Sequence, residues 1–112
     1  MDLAAFNVQQ SCQLRVKATL LRLLGEMPRL HSVRELLGTL SAKLEEVEFR
    51  DVANTIKDFV RIHRDPLFDI DSAYTASKHS SFTYSAKDVE EMIETCTELH
   101  KLLNEVEKLV LG

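Results

Sequence analysis

The sequence predicts an all-α chain: an elongated helical hairpin or bundle of about four helices, the last leading into a coiled-coil stalk. Three observations carry this. Apolar residues recur at helical spacing through most of the chain, capping residues stand at the heads of those stretches, and helix breakers are few, with three glycines and two prolines in 112 residues. The length fits one domain, divided into a helical head with an N-terminal arm and a long connector over 1–84, and a long amphipathic helix over 85–112 that completes the bundle.

Met1 to Phe6 reads as an apolar arm containing Leu3 and Phe6, too short to be a stable element alone. Asn7 with Gln10 resembles a capping box and opens helix one, expected over 8–26. Cys12, Val16, Leu20, Leu23 and Met27 form its main stripe, with Leu14, Leu21 and Leu24 beside it. Gly25 and Pro28 end it, since proline disfavours helical geometry at the residue before it.

Ser32 and Glu35 form a second capping box, followed by Val33, Leu36, Leu37, Leu40, Leu44 and Val47 on one face, so helix two is expected over 32–46. The stripe then changes phase to Phe49, Val52, Ile56, Phe59 and Val60. That shift has two readings, a helix that runs on to about His63 with its stripe swinging to new neighbours, or a break or kink near Glu46 to Asp51, with Asp51 as N-cap of a third helix over 51–63; the second is favoured. Arg64 to Tyr84 shows no helical period and reads as a connector, pinned by Leu67, Phe68 and Ile70, with nothing apolar to bury from Ser77 to Ser81.

Ser85 and Asp88 cap the last helix, expected over 85–111. Val89, Met92, Cys96, Leu99, Leu103, Val106 and Val110 alternate steps of three and four, a heptad seam that Ile93, Leu102 and Leu109 widen to bundle proportions. Twenty-seven residues at 1.5 Å each give roughly 40 Å, longer than a domain of this size is wide, so the C-terminal turns should overhang and continue in a longer chain or finish on a partner.

The net charge of −4 argues against a general nucleic-acid binder. Cations concentrate in residues 1–34 and carboxylates in 85–112. No apolar run reaches membrane-spanning length and no signal peptide precedes helix one, which points to an intracellular chain. Cys12 and Cys96 read as buried thiols rather than a disulfide framework or zinc site. His31, His63, His79 and His100 are scattered, Glu45, Glu46 and Glu48 read as a solvated helix end, and no phosphate loop, nucleophile elbow or metal-binding pair is visible. The expectation is a chain that is not an enzyme and needs no cofactor.

The segment Phe6-Asn7-Val8-Gln9-Gln10-Ser11-Cys12-Gln13-Leu14-Arg15-Val16 resembles the opening of the Mis-twelve (Mtw) family of kinetochore proteins, and Tyr84-Ser85-Ala86-Lys87-Asp88 is similar to the cap before that family's stalk helix. The family's Gly and Pro before the helix are missing here. The resemblance implies a nuclear, centromeric subunit that links inner centromere to outer kinetochore in chromosome segregation. It also implies an Nnf-type partner subunit sharing the bundle through the last-helix seam. Centromere protein C would dock on the arm and helix one, with Leu3, Phe6, Arg15, Lys17 and Arg22 as the contact residues. The competing class is a self-contained helical adaptor or scaffold domain for protein–protein interaction. A nucleic-acid-binding helical domain, reading through the basic face of helix one, is the third.

Overall fold

In the computed structural model, which describes residues 2–79 and 84–112 and the side chains of all of these but 76–79, the chain forms five α-helices. They are α1 (Leu3–Leu24), α2 (Val33–Glu46), α3 (Arg50–Ile62), α4 (Arg64–His79) and α5 (Ala86–Leu111). No strand occurs among the described residues. The all-α class is as the sequence predicts; the count is five rather than four.

α1 is the hub, packed along α5 on one side and against α4 and α2 on the other, while α2 and α3 form an antiparallel pair. One core joins them, with Cys12, Val16 and Leu20 of α1, Leu36, Leu37, Leu40 and Leu44 of α2, Ile56 of α3, Leu67 and Ile70 of α4, and Met92, Leu99 and Leu103 of α5. The molecule measures 44 × 25 × 18 Å. A helix of 26 residues spans about 39 Å, so α5 runs the length of the bundle instead of overhanging it.

Three sequence expectations change. First, there is no free arm: Asp2 is the N-cap of α1, its carboxylate accepting from Ala5 N–H, so residues 3–6 are helix and Ala5 is fully buried. Asn7 and Gln10 are therefore interior to α1. Second, Arg64–His79 is a helix, not a connector. Pro66 sits in its first turn, where a missing N–H breaks no helical hydrogen bond, and Leu67, Ile70 and Ala73 are buried. The reading of Ser77 to Ser81 lies outside the described side chains. Third, Phe49 rather than Asp51 is the N-cap of α3, without a side-chain bond.

The break between α2 and α3 is where the phase shift placed it. Phe49 N–H donates to Leu44 O (2.8 Å) and Glu48 N–H to Glu45 O (3.0 Å), a Schellman stop that requires a left-handed residue. Glu48 takes that position with φ of 69°. The Ser85–Asp88 capping box is complete in both directions, and Ser32 Oγ accepts from Glu35 N–H at the head of α2.

Candidate functional site

The α1–α5 pair carries most of the residues singled out in the sequence. Met92, Cys96, Leu99, Leu103 and Val106 are buried and Val89 and Val110 half-buried, all turned into this chain's own bundle. The seam is thus filled from within. Of the α1 residues, Leu3 is 61% exposed, and Phe6 and Lys17 are half-buried. Arg15 and Arg22 point at α5. Glu107 accepts from Arg15 (2.8 Å), Arg22 (3.0 Å) and the Thr19 hydroxyl (2.7 Å), while Arg15 also donates to Asn104 Oδ1 (2.7 Å). Burial raises the Glu107 carboxyl, but the bonds from Arg15, Thr19 and Arg22 outweigh it and hold its pKa below the usual value. The opposite charges of the two chain ends pair with each other inside the fold.

Further toward the N-terminus of α1, the two helices part into a groove of about 440 Å³ lined by Asn7, Val8, Ser11, Ile93, Cys96, Thr97 and His100. Cys96 lies at its floor, its Sγ 3.8 Å from Ser11 Oγ, which is in turn 3.4 Å from His100 Nε2. Cys12, the next residue along α1 from Ser11, is fully buried. Interaction with Cys12, aided by Ser11 and His100, pushes the Cys96 thiol down, while interaction with Cys96 and burial push Cys12 up. The reading of both cysteines as buried thiols holds.

A second polar junction, also invisible in sequence, ties the α1–α2 turn to α4. Asp71 accepts from Val33 N–H (2.6 Å), Ser32 Oγ (2.8 Å) and Arg34 Nε (2.8 Å) at the N-terminus of α2. His31 stacks on Tyr74 with centroids 4.4 Å apart, and Gln9 Nε2 donates to His31 O (2.9 Å). Every bond here orients a helix end, so the junction explains the geometry of the bundle. Among the described residues no three His, Cys, Asp or Glu side chains are placed to hold a metal ion. No helix there is long and apolar enough to cross a membrane.

Residues 1–106 match the family model of the HEPN domain. The chain belongs to the HEPN family. No curated protein and no solved structure matches it. Family membership over nearly the whole chain corrects the Mis-twelve reading and what came with it: the kinetochore and chromosome-segregation function, the nuclear, centromeric location, the Nnf-type subunit and the centromere protein C contact. The physical reason is visible at both matched segments. Within Gln9 to Val16, Gln9, Cys12, Gln13 and Val16 are buried at the spacing of a helix's inner face, and Tyr84–Asp88 is a helix cap; both are patterns that any amphipathic helix of this architecture needs. HEPN domains include RNase toxins and modules associated with nucleotidyltransferases, so the expectation of a chain without enzymatic activity does not follow from the family.

Proposed function

We propose that this HEPN domain works as a self-associating helical adaptor, with a second copy of the chain packed on the outer face of α1 and α5. One observation carries the reading: Ile93 (50% exposed) lines the α1–α5 groove, and Leu14 (63%) and Leu21 (48%) stand exposed further along α1, in a chain whose seam is otherwise closed by its own helices. Leu14 and Leu21 are seven residues apart and share a face of α1, and Leu14 lies one turn from Ser11 and two from Asn7, both groove-lining. Lys17 stands between the two leucines, whereas the exposed Glu90, Glu94 and Glu98 flank Ile93 on α5. In an isologous contact each patch meets its complement, so the α1 cation of one copy faces the α5 carboxylates of the other. HEPN proteins often dimerise, which supports the same choice of occupant.

Binding rather than RNA cleavage is favoured by charge and by the histidines. A net charge of −4 repels a phosphodiester backbone. His31 lies between α1 and α2, His63 between α3 and α4 and His100 on α5, with Gln13, Phe59 O and Ser11 as their respective partners, so no two of these three are bonded into an acid–base pair. The test is size-exclusion chromatography with light scattering on the wild type and Leu14→Glu, with circular dichroism as the folding control. A concentration-dependent dimer that the variant loses, with its helical signal kept, supports the reading. A wild-type monomer at all concentrations, or metal-free cleavage of single-stranded RNA by purified chain, overturns it.

A further inference from the structure

The groove between α1 and α5 holds chemistry that self-association does not use. Three proton-carrying side chains that line it stand in sequence: Cys96 Sγ is 3.8 Å from Ser11 Oγ, which is 3.4 Å from His100 Nε2. We propose that Cys96 is a covalent binding site for a small α,β-unsaturated carbonyl compound, with Ser11 and His100 as the relay that takes the thiol proton.

Helix spacing builds the relay. Cys96 and His100 are one turn apart on α5, so both side chains come to the same face, and Ser11 reaches them from α1. The thiol donates to the serine hydroxyl, and the hydroxyl donates in turn to Nε2 when the neutral imidazole carries its proton on Nδ1. Thiolate rather than thiol is the nucleophile, and this chain of donors gives the proton a place to go as sulfur attacks. Cys96 and His100 are the two titratable side chains among the groove-lining residues, so no lysine or carboxylate there competes for the proton or the reagent.

The rest of the groove selects the reagent. Its volume of about 440 Å³ falls in the range of small-molecule sites. Val8 and Ile93 supply apolar wall for a short hydrocarbon tail. Asn7, one turn before Ser11, lines the same groove, and its side-chain amide is without a partner among the described residues, so its N–H is available to a carbonyl oxygen. An unsaturated carbonyl compound joins these features: an electrophilic carbon for Cys96, an acceptor oxygen for Asn7 and a tail for the apolar wall. Cys12, by contrast, has no exposed surface and is not among the lining residues.

The reaction balances without an oxidant. The Cys96 sulfur adds to the β-carbon, an S–C bond forms as the C=C π bond breaks, and the electron pair moves through the enolate to the α-carbon. The thiol proton passes through Ser11 to His100 and returns to that carbon, directly or through water. The product is a thioether that contains the whole reagent, with nothing released.

The proposal stands apart from the adaptor reading, and the test is run at a dilution where sedimentation gives a monomer, so that no second copy covers the groove. Folding is the control: a thiol that is only buried reacts more slowly in the native chain than in the unfolded one, whereas a built site reverses the order. Native and urea-unfolded wild-type chains are exposed at pH 7 to trans-2-hexenal, quenched with borohydride and mapped by mass spectrometry. Cys96 of the native chain should gain one hexenal at least tenfold faster than Cys96 of the unfolded chain, with Cys12 unmodified. In His100→Gln the rate at pH 7 should fall at least tenfold, and the gap should close at about pH 10, where a thiol ionises unaided. Native Cys96 that reacts no faster than unfolded Cys96 overturns the proposal, as does modification of Cys12 or of a lysine ahead of it. An unchanged rate in His100→Gln, or a deficit equal at both pH values, overturns the relay. If that variant fails to fold, Ser11→Ala, at an exposed position of α1, carries the same comparison.

Discussion

Arg15 of α1 and Glu107 of α5 meet at 2.8 Å with 14% and 16% of their side chains exposed, pairing the first and last helices through a charge contact that is largely out of water. Glu107→Gln should lower stability by about 1–2 kcal/mol at neutral pH, the usual cost of weakening a charge-assisted hydrogen bond. The pH dependence has a definite sign. A carboxyl whose folded pKa is depressed contributes stability above its unfolded value, here 4.5, and loses it as pH falls through the folded value. Urea melts of wild type and variant should differ at pH 7 and converge in acid below 4.5. A constant gap at all pH values would mean that the ion pair is not the source.

Glu48 occupies a left-handed backbone position with φ of 69° where glycine is the residue without penalty. Glu48→Gly should therefore stabilise the domain by about 1 kcal/mol, despite the general cost of added glycine. A chemical melt checks it, and a lower midpoint would mean that the Glu48 side chain has a compensating role.

Leu99 is fully buried while Glu98, its neighbour on α5, faces solvent. Leu99→Asp should cost several kcal/mol, about 3–5, as an unpaired buried charge does. Glu98→Lys should change stability by less than about 0.5 kcal/mol beyond the loss of its ion pair with Lys101. Similar thermal shifts for the two would contradict the register of α5.

Deleting residues 2–6 tests the corrected start of α1. Asp2 caps that helix and also accepts from Tyr84 N–H (3.1 Å), tying the head of α1 to the approach of α5. Loss of the cap alone costs about 1 kcal/mol, and loss of the buried Ala5 adds to it. The truncated chain should melt lower and show a smaller helical signal; an unchanged melt would restore the idea of a detachable arm.

What the sequence revealed and what it hid divide along local and long-range physics. The cap at Ser85 and Asp88, the phase change after Val47 and the buried steps from Met92 to Val106 are all written within a turn or two of the chain, and each is realised. α4 was hidden because its period rests on only Leu67, Ile70 and Ala73 amid serine, threonine and aspartate, behind a proline whose position in the first turn makes it harmless. The groove was hidden more deeply. Nothing near Ser11 or Cys12 announces Cys96 and His100, since α1 and α5 meet only through tertiary packing. For the same reason the cations of α1 looked available for a partner until α5 was laid beside them. The brief resemblance at Gln10 to Val16 misled because capping and bundle-facing patterns are shared by unrelated helical proteins.

The most direct test of the adaptor reading is sedimentation equilibrium on three chains: wild type, Ile93→Glu and Phe68→Glu. Ile93 rims the α1–α5 groove, whereas Phe68, 56% exposed on α4 beneath the Arg34 guanidinium, is an apolar residue outside that face. Wild type and Phe68→Glu should both fit a monomer–dimer equilibrium, and Ile93→Glu should weaken association at least tenfold, equivalent to about 1.4 kcal/mol. Monomeric wild type, or a dimer that Phe68→Glu breaks and Ile93→Glu leaves intact, would contradict it.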